Sequence, residues 1–458
     1  MKNQLSIALG VAGLGLLVGR APTSAATLCV QPGGGACFAT IQGAVDASIP
    51  GDVVRVLPGA YYENVVVPAT KTGLQIVGEG AAILDASPFH DRGVAGNGLG
   101  VHVLAANVQV RDLIFRNGGT GVQVDAAGAR LERLRFTGTD FAVMVGFEGS
   151  NLLVASSDFD RCGIGITGDA PDTTVRRNVF RNVGIVVDLD AVDADRAQIL
   201  ENRIEGGFFG IFSGADDTVV RSNHIRNVTQ FGISIFGDNP IVENNTVTGG
   251  GFGIIVNCMH EPVPGQSRPG ICDRASVAWN TVRGANDYAF MIATTGIGTV
   301  VHDNLLSDSG LGMSLNGGLG ATERNRAQNI GRDLDGHCFE SFLGGQTFAD
   351  NTARECANAG LYANVIGSIV RNRITDTAEN GITLDGALPG LIWFQPPVLD
   401  NVSQRNAAQG LAIINGVYQA TISGNVATEN RTDFCDEGQL TIVSGNTFGT
   451  VGPCAVLH

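Results

Sequence analysis

The sequence predicts an all-β protein, a single-stranded right-handed parallel β-helix with a short N-terminal capping helix. Three observations carry that prediction: an asparagine that returns at a nearly fixed interval, short apolar runs that alternate, and no long stretch with helical spacing. Asn178, Asn202, Asn223, Asn245, Asn280, Asn304, Asn325, Asn351, Asn372, Asn401, Asn425 and Asn446 stand 24, 21, 22, 35, 24, 21, 26, 21, 29, 24 and 21 residues apart. Most sit in the frame apolar-x-x-Asn-x-apolar, as in VRRNVF from Val175 and VRSNHI from Val220. A few residues later comes glycine, then alternating apolar positions, as in GIFS from Gly210 and GISI from Gly232. In the latter, Ile233 and Ile235 point inward and Ser234 outward, because strand side chains alternate.

A unit this small cannot bury its apolar side chains alone, but a stack of copies can. Each asparagine is expected to bond to those above and below, as amide ladders do in stacked sheets. Leu113, Leu134 and Ser157 hold the equivalent place in earlier coils. Frames from Leu113 to Asn446 make about fifteen coils, or on the order of 70 Å of stack at strand spacing. Crossovers between parallel strands favour the right hand. Residues 27–458 should form one elongated domain, with 27–60 and 430–458 as its end caps.

Lys2, the apolar run Leu5–Val18, Arg20 and the small residues Ser24-Ala25-Ala26 read as a signal peptide over 1–26. The run is short for a membrane span, so export to a secreted, periplasmic or surface location is expected, with no membrane span. Ile41, Ala44, Val45 and Ser48 recur at helical spacing and end near Pro50-Gly51, which predicts the capping helix.

The coil frames resemble the right-handed β-helix repeats of the pectin-lyase-like superfamily. The segment TIQGAVDASIPGDVVRVLPGAYYENVVVPATKTGLQIVGEGAAILDAS, from Thr40 to Ser87, resembles the opening of pectin methylesterases and of periplasmic copper-binding accessory β-helix proteins. The resemblance implies the fold. That scaffold carries lyases, hydrolases, esterases, epimerases and non-enzymes, so it implies no single activity. Two readings follow: a protein that binds or acts on polysaccharide, and a non-catalytic exported scaffold or accessory protein.

Nine cysteines suit an oxidising compartment. Their spacing suggests the disulfides Cys29–Cys37, Cys258–Cys272, Cys338–Cys356 and Cys435–Cys454, with Cys162 left as a buried thiol. No CxxC pair offers a zinc site. The net charge of −15 and the lack of a basic run argue against nucleic acid. They also weigh against a polyanion unless a local basic groove overrides the long-range repulsion. A monomer is expected.

Chemistry is sought on the outward residues of the glycine-led strands. In early coils these are assigned as Gly165 and Val186, and through the middle of the stack they are apolar. The late coils turn polar: Ser314, Asn316, Glu340, Tyr362, Asn364, Thr383 and Asp385, with His337 nearby. Glu340 and Asp385, about 10 Å apart along the stack, read as an acid–base pair for glycosidic cleavage. Tyr362 stands between them. Asn316, His337, Asn364 and the insert residue Trp393 read as substrate contacts. Such a groove requires both carboxylates on one face and open to ligand; the plainer reading is a solvated polar face. Two inserts could wall it, one from Cys258 to Arg274 with Met259 and His260, the other from Ala387 to Leu399.

Other motifs are weak. Pectin methylesterases need an arginine two residues before a tryptophan, but Val277 precedes Trp279 and Leu391 precedes Trp393. Asp216-Asp217 lies about 24 Å along the stack from His337 and is read as a turn. Asp188, Asp190, Asp193 and Asp195 could offer oxygens to calcium but lack the spacing of known loops. The adjacent pair Met259-His260 is too little for copper. No cofactor is therefore expected.

Overall fold

The computed structural model describes residues 25–89, 98–189, 194–257, 274–294, 297–331, 336–342, 345–364, 367–386 and 396–454. A typical coil has three strands, such as Val219–Arg221, His224–Arg226 and Phe231–Ile235. Each pairs in parallel with its counterpart one coil away. The result is three parallel sheets of 18, 17 and 16 strands, here the first, second and third in coil order. They form a right-handed parallel β-solenoid of about 16 turns, with one α-helix among the described residues.

The core is built in columns. Val175, Ile199, Val220, Val242 and Val277 follow one another in register on the first sheet and are fully buried. On the second sheet Phe115, Phe136, Phe159 and Phe180 stack ring on ring, with centroids 5.0, 4.9 and 4.4 Å apart. Glycine takes the second position of the third strand because there is no room for a side chain: a Cβ on Gly232 would lie 2.6 Å from Val247 and 2.7 Å from the carbonyl oxygen of Gly253.

The asparagines occupy the turn between first and second strands. Asn202 Oδ1 accepts from the backbone N–H of Asn178 at 3.0 Å and from its side-chain amide at 3.1 Å. Asn202 Nδ2 donates to Val175 O at 2.9 Å and to Asn223 Oδ1 at 3.0 Å. The same scheme ties Asn425 to Asn446. One polar side chain thereby satisfies backbone groups that a buried turn would otherwise leave unpaired. The residue before each rung takes a left-handed conformation, for example Arg371 at φ 54° and Asp350 at φ 56°. Their exposed side chains form a bidentate ion pair at 2.8 Å across adjacent coils.

The N-terminal helix spans Ile41–Ala47 and buries Ile41, Ala44 and Val45. Thr40 caps it by accepting from Gly43 N at 3.1 Å, and the Glu63 carboxylate accepts from Ile41 N and Gln42 N at 2.8 and 2.9 Å. Disulfides Cys29–Cys37, Cys338–Cys356 and Cys435–Cys454 are formed, and Cys162 is a buried free thiol. The expected Cys258–Cys272 pair and residues 1–24 of the expected signal peptide lie outside the described residues. Among the described residues no helix is long and apolar enough to cross a membrane.

Candidate functional site

The third sheet has the longest strands, so each presents outward residues at both ends and in the middle. Phe231 opens one such strand, Ser234 faces outward between the buried Ile233 and Ile235, and Phe236 follows its end. The large end residues shade the middle one, leaving Ser234 only 1% exposed. The outer face is therefore a narrow trough. Its floor runs in register through Phe212, Ser234, Ile255, Met291, Ser314, Glu340, Tyr362 and Thr383. In the early coils, Thr167 and Asp188 occupy this column. That corrects the expected Gly165 and Val186, because those strands begin one residue after Gly163 and Gly184, whereas the later strands begin one residue before their glycine.

One rim is aromatic, with Phe209 stacked on Phe231 at 5.4 Å and Phe252 tilted against Phe231 at 5.3 Å. The other passes in register through Asn257, Ala293, Asn316 and Phe342. Asn316 Nδ2 donates to Ser314 Oγ at 3.4 Å. Asn364 follows the strand Leu361–Ala363, and its buried Oδ1 has no hydrogen-bond partner among the described residues.

Glu340 sits on the floor between Ser314 and Tyr362. Burial pushes its carboxyl above the ordinary carboxylate range, against the opposing pull of hydrogen bonds from Ser314 and Tyr288. Its Oε1 is buried with no hydrogen-bond partner among the described residues. Asp385 accepts from the Tyr362 hydroxyl at 2.5 Å and from Asn415 Nδ2 at 2.7 Å. The His337 ring stacks on Tyr362 at 4.9 Å and 16°, and Phe342 meets Tyr362 at 5.8 Å. Ala359 N–H donates to His337 Nδ1 at 3.2 Å, which leaves Nε2 to carry the proton of a neutral ring. Burial pushes the Tyr288 and Tyr362 phenols well up; the Glu340 charge adds to this at Tyr288, and the hydrogen bond to Asp385 adds to it at Tyr362.

Glu340, Tyr362, Asp385, His337, Asn316 and Asn364 thus gather on one face. Trp393, Met259 and His260 lie outside the described residues. The two carboxylates share a face as required, but the requirement that neither be buried is not met. Both carboxylates belong to the outer face of one sheet, yet each is only 7% exposed, so the pair lies in a largely closed cluster rather than an open cleft. Neither is it a solvated surface. Register puts Asp385 two coils and two residues from Glu340, about 12 Å between Cα atoms.

Tyr288, Phe342 and Asn415 were not anticipated as members of the cluster. Tyr288 opens its strand two residues before the buried Phe290, and that offset was its one signal. Asp216-Asp217 is a turn as read: Asp217 has φ 56°, and Asp216 Oδ1 accepts from Asp238 N at 2.8 Å. Asp188 lies on the third sheet, whereas Asp195 Oδ1 accepts from Asp216 N at 3.3 Å; Asp190 and Asp193 are outside the described residues.

No protein-family model matches the chain. Over 132 residues, 27% of this chain, it is 32% identical to a protein of Arabidopsis thaliana named "Probable pectinesterase 8". That match spans 33% of the relative's length. Among solved structures, a mutant tailspike protein of the E. coli bacteriophage HK620 in complex with a pentasaccharide aligns with a TM-score of 0.52 and 13% identity. The alignment covers 81% of this chain and 73% of that one. A double mutant of the same tailspike gives a TM-score of 0.51, also at 13% identity, over 81% and 74% of the two chains. With the coil geometry, these likenesses fit a pectin-lyase-like β-helix fold.

Proposed function

We propose that this chain is an exported β-helix protein that binds and cleaves polysaccharide at the third-sheet trough, with Glu340 as general acid and Asp385 as general base. Tyr362 holds Asp385 in place. The carrying observation is the contrast between the two carboxylates: burial pushes the Glu340 carboxyl above its ordinary range, while Asp385 accepts from two hydrogen-bond donors. Carboxylates in contrasting environments are how one site supplies both acid and base. Elimination or epimerisation through a tyrosine base is less favoured, because both phenols are driven away from ionisation. The pentasaccharide-bound tailspike and the pectinesterase-named relative support a glycan ligand by likeness of fold and partial sequence. The disulfides and the signal-like N-terminus support export.

The test is a polysaccharide panel assayed for new reducing ends and for unsaturated products. The expected outcome is reducing ends alone, falling about 100-fold or more in Glu340→Gln and in Asp385→Asn. Activity that survives both substitutions sinks the residue assignment and leaves an enzyme. Silence across the panel, with no glycan binding, supports the second reading, a non-catalytic scaffold. The 7% exposure of both carboxylates is the observation that favours it.

A further inference from the structure

The second sheet carries a charge pattern that the net charge conceals. Over eight successive coils, from Arg203–Glu205 to Arg373–Thr375, its outward strand positions hold Arg203, Arg226, Arg283, Arg326, Arg354 and Arg373. They hold two carboxylates, Glu205 and, near the end of its strand, the exposed Glu355. All six arginines are exposed. This is a cationic stripe on a molecule of net charge −15.

Three of the six are already engaged. Arg203 and Arg226 hold Glu205 at 3.8 and 2.5 Å, and Arg354 holds Glu355 at 2.5 Å. In the bordering turn Asp308 is bonded by Asn329 and Asp376 by Arg405. Arg283, Arg326 and Arg373 have no ion pair among the described residues. They stand on every second coil, about 10 Å apart along the axis at the backbone, with Arg283 at the last position of its strand and Arg326 and Arg373 at the first of theirs. Thr281, Ser307, Gln328 and Thr352 share their columns, together with the apolar Leu305. A shallow hollow of about 270 Å³ at Arg203, His224, Arg226 and Thr246 adjoins the run.

We propose that this face is a second binding surface, separate from the trough, for an anionic polysaccharide laid along the solenoid axis. Planar guanidinium forks match carboxylate or sulfate oxygens, and the interleaved hydroxyls match those of sugars. Double-stranded DNA is a poorer occupant. It carries a charge about every 1.7 Å along its axis, far denser than this stripe, and the acidic remainder of the molecule repels it.

The test is affinity electrophoresis of the full chain in gels containing polygalacturonate, heparin, neutral dextran or double-stranded DNA. Its variants are the triple substitution Arg283→Gln, Arg326→Gln, Arg373→Gln and the three single substitutions. The expected result is retardation by polygalacturonate, by heparin, or by both, which assigns carboxylate or sulfate recognition, and none by dextran. The triple variant loses about tenfold in affinity, as three exposed contacts of surface ion-pair strength imply, and each single variant loses part of it. The trough residues are intact in every variant, so this loss reports the second sheet alone, whether or not the trough cleaves glycan. No retardation of the native chain by either anionic glycan, equal retardation of the triple and native proteins, or tighter binding to DNA than to both glycans overturns the proposal.

Discussion

Glu340 is held in an environment that its ionised form resists. Its folded pKa is raised by burial, so between the ordinary carboxyl value and the raised one the unfolded chain has released a proton that the folded chain retains. Stability contributed by this group is therefore full at low pH and falls as pH rises through that window. Glu340→Gln keeps the shape and removes the titration. In thermal melts from acid to neutral pH, the variant should gain on the native protein as pH rises, and parallel melting curves would show that Glu340 does not titrate in that window. The opposite sign holds at Asp350, whose carboxyl Arg371 pulls below its ordinary value. That contribution is present at neutral pH and lost as pH falls through the lowered value. The alternation that marked Ser234 as outward also placed Glu340 and Tyr362. The depth of the trough was not legible, because shading of the floor depends on which side chains stand at the strand ends in three consecutive coils.

At the scale of the element, the turn between first and second strands is the part the sequence displays most openly. An asparagine there does four things at once, and few side chains of that size offer both a double acceptor and a double donor. Asn304 accepts from Asn280 N at 3.0 Å and donates to Val277 O at 2.8 Å. Asn304→Ala orphans both buried backbone groups and opens a gap in the ladder. The expected loss is about 2–4 kcal/mol, from two unsatisfied groups at about 1–3 kcal/mol each, offset by relaxation; chemical denaturation measures it, and a loss below about 0.5 kcal/mol would show the rung to be dispensable. A second ladder was missed. Asn406 Oδ1 accepts from Thr377 N at 3.1 Å, and Asn430 Oδ1 accepts from Asn406 N at 2.8 Å. It occupies the turn after the second strand in three late coils only, and two asparagines and a threonine make too short a series to show a period. The phenylalanine stack from Phe115 to Phe180 escaped notice for the same reason, since four residues are outnumbered by the aliphatic side chains that continue the column.

For the whole molecule, each coil touches its two neighbours, so stability accumulates coil by coil and the ends are where it runs out. The N-terminal end is closed by the helix Ile41–Ala47. The C-terminal end has no helix among the described residues, and its last first-sheet strand, Ile442–Ser444, is exposed throughout. What holds that end is the Cys435–Cys454 disulfide and Asp433, which accepts from Thr450 N at 2.7 Å and Asn430 N at 3.0 Å. The disulfide spans 19 residues, and closing a loop of about that size is worth roughly 3 kcal/mol in the unfolded chain. The paired substitution Cys435→Ser and Cys454→Ser should therefore loosen the last coils first. Amide hydrogen exchange should accelerate from about Asn401 onward while the Phe115–Phe180 coils keep their protection. Uniform acceleration along the chain would instead mean that the solenoid opens as one cooperative unit and that the terminal disulfide guards all of it.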